Sequence, residues 1–393
     1  MAVSPGWQES RAEGPEVSQI NLAVLPLTDC ASIVAAHEKG FFETHGIDSS
    51  VVKFTSWTGL RDAVVQGAVH GAQMLFGMPI AAACGRLGSK PTPLVVPLIL
   101  SRNGQAISLI SKYKGLVGSD PSPLRPIAQK GRDAGRPLVF AHTLPVGTHS
   151  YWLRYWLAAG FIHPDNDVAL ITCPPPMMVR NVRQATMDGF CAGEPWNAHA
   201  LDAGLGYTAI TSREIWQDHP EKVLAFTEDF AEKNPRTVKA VLKALRQAGE
   251  WCDAPDHREE LAGILSRPEY VNVPADLILD RLNDGFACGD GREHSGSHQL
   301  TFSERNCNYP QYKHAIWFLT QMYRWGIAVD APDYGAAARR MMRPELFEEA
   351  MAELGVEAGS SNLDAETLFD GHVFDPTKPD EYAHSFNMHN LRH

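Results

Sequence analysis

Three things are missing from this chain. No window approaches the roughly 18 consecutive apolar residues of a membrane-spanning helix, no run of Lys and Arg matches the track of a nucleic-acid backbone, and no two cysteines form a C-x-x-C pair. The first absence excludes a helical membrane protein. The second, with 35 basic against 46 acidic residues and a net charge of -11, argues against direct RNA or DNA binding. The seven cysteines (Cys30, Cys84, Cys173, Cys191, Cys252, Cys288 and Cys307) are odd in number and widely spaced, so they read as small buried thiols in a reduced, cytoplasmic protein. The leader MAVSPGWQESRAEGPEVSQ lacks a basic segment followed by an apolar one, and no export signal is expected from it.

Enzyme signatures are missing as well. There is no P-loop, no G-x-S-x-G elbow, no H-E-x-x-H and no dinucleotide fingerprint at a strand–helix junction. Glu194 and Asp188 resemble an acid–base pair, but a cap or hinge role suits them better. His384, His389 and His393 near the C-terminus, and His294 with His298 in a Gly/His/Ser-rich loop, have no recognised metal-ligand spacing. Neither a cofactor nor a metal is expected.

What is present is a long alternation of apolar strand patterns and amphipathic helices, punctuated by 32 Gly and 27 Pro. QINLAVLPL reads as a buried strand, followed by a helix from TDCASIVAAHEKGFFETHG with Thr28 or Asp29 as cap. DSSVVKF, the capped helix SWTGLRDAVVQG and the strand GAQMLFG repeat the pattern. Such alternation implies an α/β fold with ligand groups gathered at strand C-terminal ends. At 393 residues the chain exceeds one ordinary core, and the Asn103-Gly104 interruption of a β-rich stretch marks a passage between two lobes. The expected organisation is a polar leader (1–18), lobe I (19–108), lobe II (109–224), a return to lobe I with a helical extension (225–360) and a polar, extended tail (361–393). The return crossing falls near Lys222–Phe226.

An acidic chain repels anions at long range, so an anion site must be built locally from a few donors and helix N-termini. His149, with Thr148 as a candidate N-cap, is the best single signal. Trp57 at a helix start offers an indole N–H that never accepts, Gln105 beside Gly104 offers an amide, and Lys222 ahead of a strand offers an ammonium. Cys173-Pro174-Pro175-Pro176 reads as a rigid wall. Spacing alone supports an anion-friendly cleft and nothing finer.

Taken in order, INLAVLPLTDCASIVAAHEKGFFETHGID, FTSWTGLRDAVVQG, MLFGMPIAA, NGQAISL, THSYWLRYWLAAG, CPPPMMVRNVRQATMDGFCAGEPWN, the HPEK segment and LFDGHVFDPTKPDEY resemble the nitrate/bicarbonate-binding proteins of ABC importers and their cytoplasmic relatives nearly end to end. The resemblance implies a two-lobed, type II periplasmic-binding-protein fold with the anion between lobes. It places anion contacts on Trp57, Gln105, His149, Pro175 (through its backbone) and Lys222. Bicarbonate-binding members resemble a glutamate at the position of Lys222, which suits a ligand that brings its own O–H. A lining of donors only suits an anion that only accepts, so nitrate ranks before nitrite, and both before bicarbonate.

With no export leader expected, the resemblance runs further to a cytoplasmic nitrate/nitrite sensor that holds an RNA-binding antiterminator of response-regulator type and releases it when nitrate or nitrite binds. The alternative is the nitrate-binding subunit of an importer without its export leader. A third possibility is a cofactor-binding enzyme on the same fold, of the kind that makes pyrimidine precursors of thiamine.

Overall fold

The computed structural model describes residues 14–86, 92–296 and 299–391. Two mixed sheets dominate it. Strands β1 (Gln19–Val24), β2 (Asp48–Lys53), β3 (Gly71–Leu75) and β4 (Leu94–Asn103) belong to the first, and β5 (Gln105–Ile110), β6 (Leu138–His142), β7 (Val168–Thr172), β8 (Gly189–Gly193) and β9 (Gly206–Thr211) form the second. Strand β10 (Pro220–Thr227) returns to the first sheet, whose order is 300–301, β4, β10, β3, β1, β2; the second runs β7, β6, β8, β5, β9. The result is the expected two-lobed α/β architecture. The strands β3 and β4 are buried along their whole length, which explains their mostly apolar composition.

The lobe boundaries differ from the sequence reading. The chain changes sheets at Gly104, where φ is +78° and a Cβ would meet Leu300 at 2.5 Å, so the second lobe begins at Gln105 and not after residue 108. Its return lies between β9 and β10, through the helical turn Ser212–Ile215. Lys222 therefore already sits inside the first sheet, paired with Leu75 on β3.

Two expected helices are broken in two. The first divides into Ala31–Glu38 and Phe41–Thr44 around Gly40, at φ +73°; the second divides into Glu228–Lys233 and Pro235–Asp253, because Pro235 disfavours helical geometry at Asn234. The loop at 289–300 supplies one strand, Glu293–Ser295, of a pair with Gly285–Ala287, in which His294 is buried and stacked on Phe286 at 5.1 Å. His298 and His393 lie outside the described residues.

The C-terminal segment is not an extended tail. It forms a short hairpin (Glu366–Thr367 with Val373–Phe374) and a helix, Pro379–His384, and it buries Phe374, Tyr382 and Phe386. Those rings join an aromatic seam along the back of both lobes. Trp317 on the helix Tyr312–Arg324 lies 5.1 Å from Trp152 and 5.0 Å from Trp216, while its neighbour Phe318 touches Phe76 of the first lobe at 5.1 Å. The helical extension thus braces both lobes, where the sequence reading returned it to the first alone. Among the described residues no helix is long and apolar enough to cross a membrane.

Candidate functional site

Four of the five candidate residues converge where the lobes meet. Trp57 opens the helix Trp57–Val65, whose N-cap Ser56 accepts from Gly59 N at 3.2 Å. Gln105 opens β5, and His149 lies in the first turn of the helix Thr148–Ala159, which follows β6. Lys222 comes from β10 of the opposite lobe, its Nζ 5.7 Å from the centre of the Trp57 ring. All four side chains are buried, with Lys222 and His149 wholly so.

The lobes touch around this cluster. Thr28 N donates to Glu194 O at 2.8 Å, and Trp196 Nε1 donates to Pro26 O at 3.1 Å, both across the lobe boundary. Gly77 approaches Val146 so closely that a Cβ would stand 2.1 Å from its carbonyl oxygen. Gly193, at the end of β8, leaves room for Asp29 and His149 together: a Cβ there would meet Asp29 Oδ2 at 3.0 Å and His149 Nε2 at 3.8 Å.

The lining is not made of donors only. Asp29 and Glu221 both face Lys222: Asp29 Oδ2 lies 2.7 Å from Nζ, and Glu221 Oε1 is in direct contact with it. Adjacent strand residues ordinarily point to opposite faces, but β10 is irregular here. Pro220 pairs with Arg102 and Lys222 with Ser101, so Glu221 is an extra residue that breaks the alternation. That irregularity brings Glu221 and Lys222 together.

Asp29 is not a helix cap. Its other oxygen accepts from Gln73 Nε2 at 2.5 Å, and Gln73 Oε1 in turn accepts from Leu25 N at 2.9 Å. Thr148 is the first residue of its helix, with Gly147 at the cap position; its hydroxyl accepts from Gln105 Nε2 at 3.0 Å and donates to Glu221 Oε1 at 3.1 Å. A chain of hydrogen bonds therefore runs from Gln105 through Thr148 to Glu221.

Burial raises the pKa of Asp29, against the opposing pull of Lys222 and Gln73. Burial and then Asp29 push Glu221 up to about 7 despite Lys222. For Lys222, desolvation works against the charge, but Asp29 and Glu221 outweigh it and its pKa is raised. Burial first, and the Lys222 charge next, hold His149 neutral, its pKa well below the ordinary imidazole value. The His149 ring bonds the Thr143 hydroxyl through Nδ1 at 2.5 Å. His149 Nε2, Trp57 Nε1, Gln105 Oε1 and Glu221 Oε2 have no partner among the described residues. Such atoms are costly to bury unless something else bonds them.

Pro175 is placed differently. It is buried at the start of the turn Pro175–Met177, has no N–H, and its carbonyl already accepts from Met178 N. With no N–H to donate, its backbone offers no hydrogen bond to an anion that only accepts. Asp188 and Glu194 do not form a pair. Asp188 precedes β8 and binds Lys112, Tyr113 and Val139 N, whereas Glu194 follows β8 and accepts from Ala198 N.

Sequence reasoning missed Asp29, Gln73, Thr148 as a link, and Glu221. The amide of Gln73 inside the otherwise apolar GAQML was the one visible signal. At the hinge there is also a cavity of about 410 Å³ lined by Arg102, Asp218, Arg305, Lys313 and Glu366 among others. Its charges are largely matched to each other, Arg305 to Asp218 and Lys313 to Glu366, whereas the cluster at Lys222 gathers unpartnered groups of both lobes around a buried ammonium.

Comparisons with known proteins bear on this cluster. Residues 13–266 match the NMT1-like family. The chain is 38% identical to the nitrate/nitrite binding protein NrtA of Nostoc sp., over 98% of this chain and 90% of that protein. It is 32% identical to the bicarbonate-binding protein CmpA of Synechococcus elongatus, over 95% and 87% respectively. The crystal structure of the periplasmic nitrate-binding protein NrtA from Synechocystis superposes with a TM-score of 0.92 at 38% identity, over 96% of this chain and all of that one. An alkanesulfonate-binding protein from Xanthomonas axonopodis, at 13% identity and TM-score 0.58, shares the fold alone. With the family matched over most of its length and its relatives aligned nearly end to end, the chain belongs to the NMT1-like family, among the nitrate- and bicarbonate-binding proteins of the type II periplasmic-binding-protein fold.

Proposed function

We propose that this protein binds nitrate, and secondarily nitrite, between its lobes, and that it acts as a cytoplasmic sensor and not as an enzyme. The observation that carries the anion reading is the group of unpartnered buried atoms, Trp57 Nε1 and His149 Nε2 above all, beside the Lys222 ammonium. A planar anion with three acceptor oxygens takes N–H donors from both lobes at once, and so ties closure to occupancy. The names of the relatives point to the same ligand. Titration calorimetry with nitrate, nitrite and bicarbonate tests it: nitrate first and bicarbonate weakest is expected, and a preference for bicarbonate would overturn it.

In the sensor reading, lobe closure changes the surface seen by a protein partner, an RNA-binding antiterminator of response-regulator type, which the open form holds and the closed form releases. The acidic chain, at net charge -11, is compatible with a basic partner. A related segment also occurs within a longer protein named as a nitrate import ATP-binding protein in Synechocystis, of which this chain covers 58%; that supports a role for such lobes outside a free-standing carrier. Capture of the antiterminator by the ligand-free protein and its loss on adding nitrate is the expected outcome. The second reading, an importer's binding subunit, is favoured by the names of the other relatives. Failure to capture the antiterminator, with nitrate binding intact, would favour it.

A further inference from the structure

The geometry points to Glu221 as a further ligand residue of the cleft: its carboxyl group meets the anion in protonated form, as an O–H donor, so that above neutral pH each anion enters with one proton. This rests on the reading of the cleft as an oxyanion site.

The argument starts from counting charges in a sealed space. One ammonium, Lys222, faces two carboxylates, Asp29 and Glu221. Asp29 accepts a hydrogen bond on each oxygen, from Gln73 and from Lys222, and is therefore held as the anion. Glu221 differs. Its Oε1 takes Lys222 and the Thr148 hydroxyl, while Oε2, with the residue wholly buried, has no partner. Lys222 and Asp29 neutralise each other, so an incoming anion would share the cleft with an ionised Glu221 and meet both its charge and its lone pairs. With a proton on Oε2 the repulsion disappears, and the charged acceptor nearest Lys222 becomes a donor. Nitrate only accepts, and Glu221 then joins Trp57 Nε1 and His149 Nε2 in donating to it, with Gln105 Oε1 left as a neutral acceptor.

The surroundings of Glu221 support that proton. Asp29 lies after β1, Lys222 is its neighbour on β10, Thr148 of the facing helix bonds it, and Cys191 of β8 feels its charge; His149 and His219 stand one step further off, around Lys222. Burial and Asp29 bring Glu221 to about 7, within reach of neutral solution. His149 is the competing acceptor for a proton, and burial together with Lys222 keeps it neutral. The proton comes from solvent, and no bond of the anion breaks.

Calorimetry of the full chain with sodium nitrate, in two buffers of different ionisation enthalpy, counts the protons. About one proton per nitrate is expected at pH 8 and close to none at pH 6, with the Kd level below pH ~6 and rising up to about tenfold per pH unit well above neutrality. Glu221→Gln keeps a donor, so it is expected to bind nitrate with no proton uptake and a level pH profile. The same proton count in Glu221→Gln, or a pH-independent Kd in the unaltered protein, overturns the assignment. Should Glu221→Gln not fold, ¹⁵N-histidine spectra of the unaltered complex decide, because an imidazolium at His149 moves the proton there and overturns it, while a neutral His149 with one proton taken up supports it. Absence of any nitrate heat at any pH would instead withdraw the oxyanion reading, and this one with it.

Discussion

The cleft and the aromatic seam share two pieces of chain, yet they are chemically opposite. The helix Thr148–Ala159 gives Thr148 and His149 to the cleft and, within the next two turns, Trp152 and Tyr155 to the seam. The segment after β9 gives Trp216 to the seam and Glu221 and Lys222 to the cleft, with His219 between them tilted against Trp152 at 4.5 Å. In the seam, ring pairs gain about 0.5–1.5 kcal/mol each beyond their burial, and Trp317 Nε1 donates to Tyr382 Oη at 3.2 Å. The seam has unpartnered atoms too, Trp152 Nε1 and Tyr151 Oη, but its buried guanidinium, Arg324, is met by the Phe386 ring and by Met388 O. In the cleft such atoms come from both lobes and converge on Lys222, each costing about 1–3 kcal/mol while unmet. One region stores stability and the other withholds it until a ligand arrives.

The comparison breaks most directly at Lys222. Lys222→Glu leaves three carboxylates with no ammonium, and removing one partner of a buried ion pair costs about 3–5 kcal/mol. Nitrate binding is expected to vanish from a calorimetric titration, and retained affinity would remove Lys222 from the site. Trp317→Ala is the matching change in the seam. It is expected to lower unfolding stability by about 3–5 kcal/mol in a urea titration while leaving nitrate affinity within a few-fold. A large affinity loss there would show that seam and cleft are one energetic unit.

How much of this was legible in the sequence divides along the same line. The alternation of strands and helices is carried by periodicity, and so the α/β architecture and the interruption at Asn103-Gly104 could be read directly. Trp57, Gln105, His149 and Lys222 stood out because each opens an element or a lobe passage. Asp29 was read as a helix cap because an acidic residue before a helix usually is one; only the long-range partners Gln73 and Lys222 draw it elsewhere. Glu221 was hidden by strand alternation, which the irregular pairing of β10 overrides. The docked C-terminal segment was read as a tail because its three buried rings are scattered among polar residues, and burial there depends on a seam formed from distant helices.

A smaller effect separates closure from contact. Gly77 does not belong to the cluster, but Gly77→Ala drives a methyl group to within 2.1 Å of Val146 O across the lobe boundary. Relieving that overlap holds the lobes apart at a cost of about 3 kcal/mol, which is on the order of 100-fold in affinity. Small-angle scattering at saturating nitrate is expected to show a larger radius for this variant than for the unaltered protein. Equal radii with equal affinity would show that the lobes bind without meeting here.

The smallest expected effect is also the cleanest test of the contrast. Trp57 Nε1 has no partner among the described residues, so Trp57→Phe deletes a donor that makes no hydrogen bond there while keeping most of the ring, which lies 5.7 Å from Lys222 Nζ. Unfolding stability is expected to stay within about 0.5 kcal/mol or to rise slightly, since one unmet buried donor has gone. Nitrate affinity is expected to fall by about 1.5 kcal/mol, the lower figure for a hydrogen bond to a charged group, which is roughly tenfold. Were the two quantities to fall together, Trp57 would behave as the seam residues do, packing the lobes without binding what lies between them.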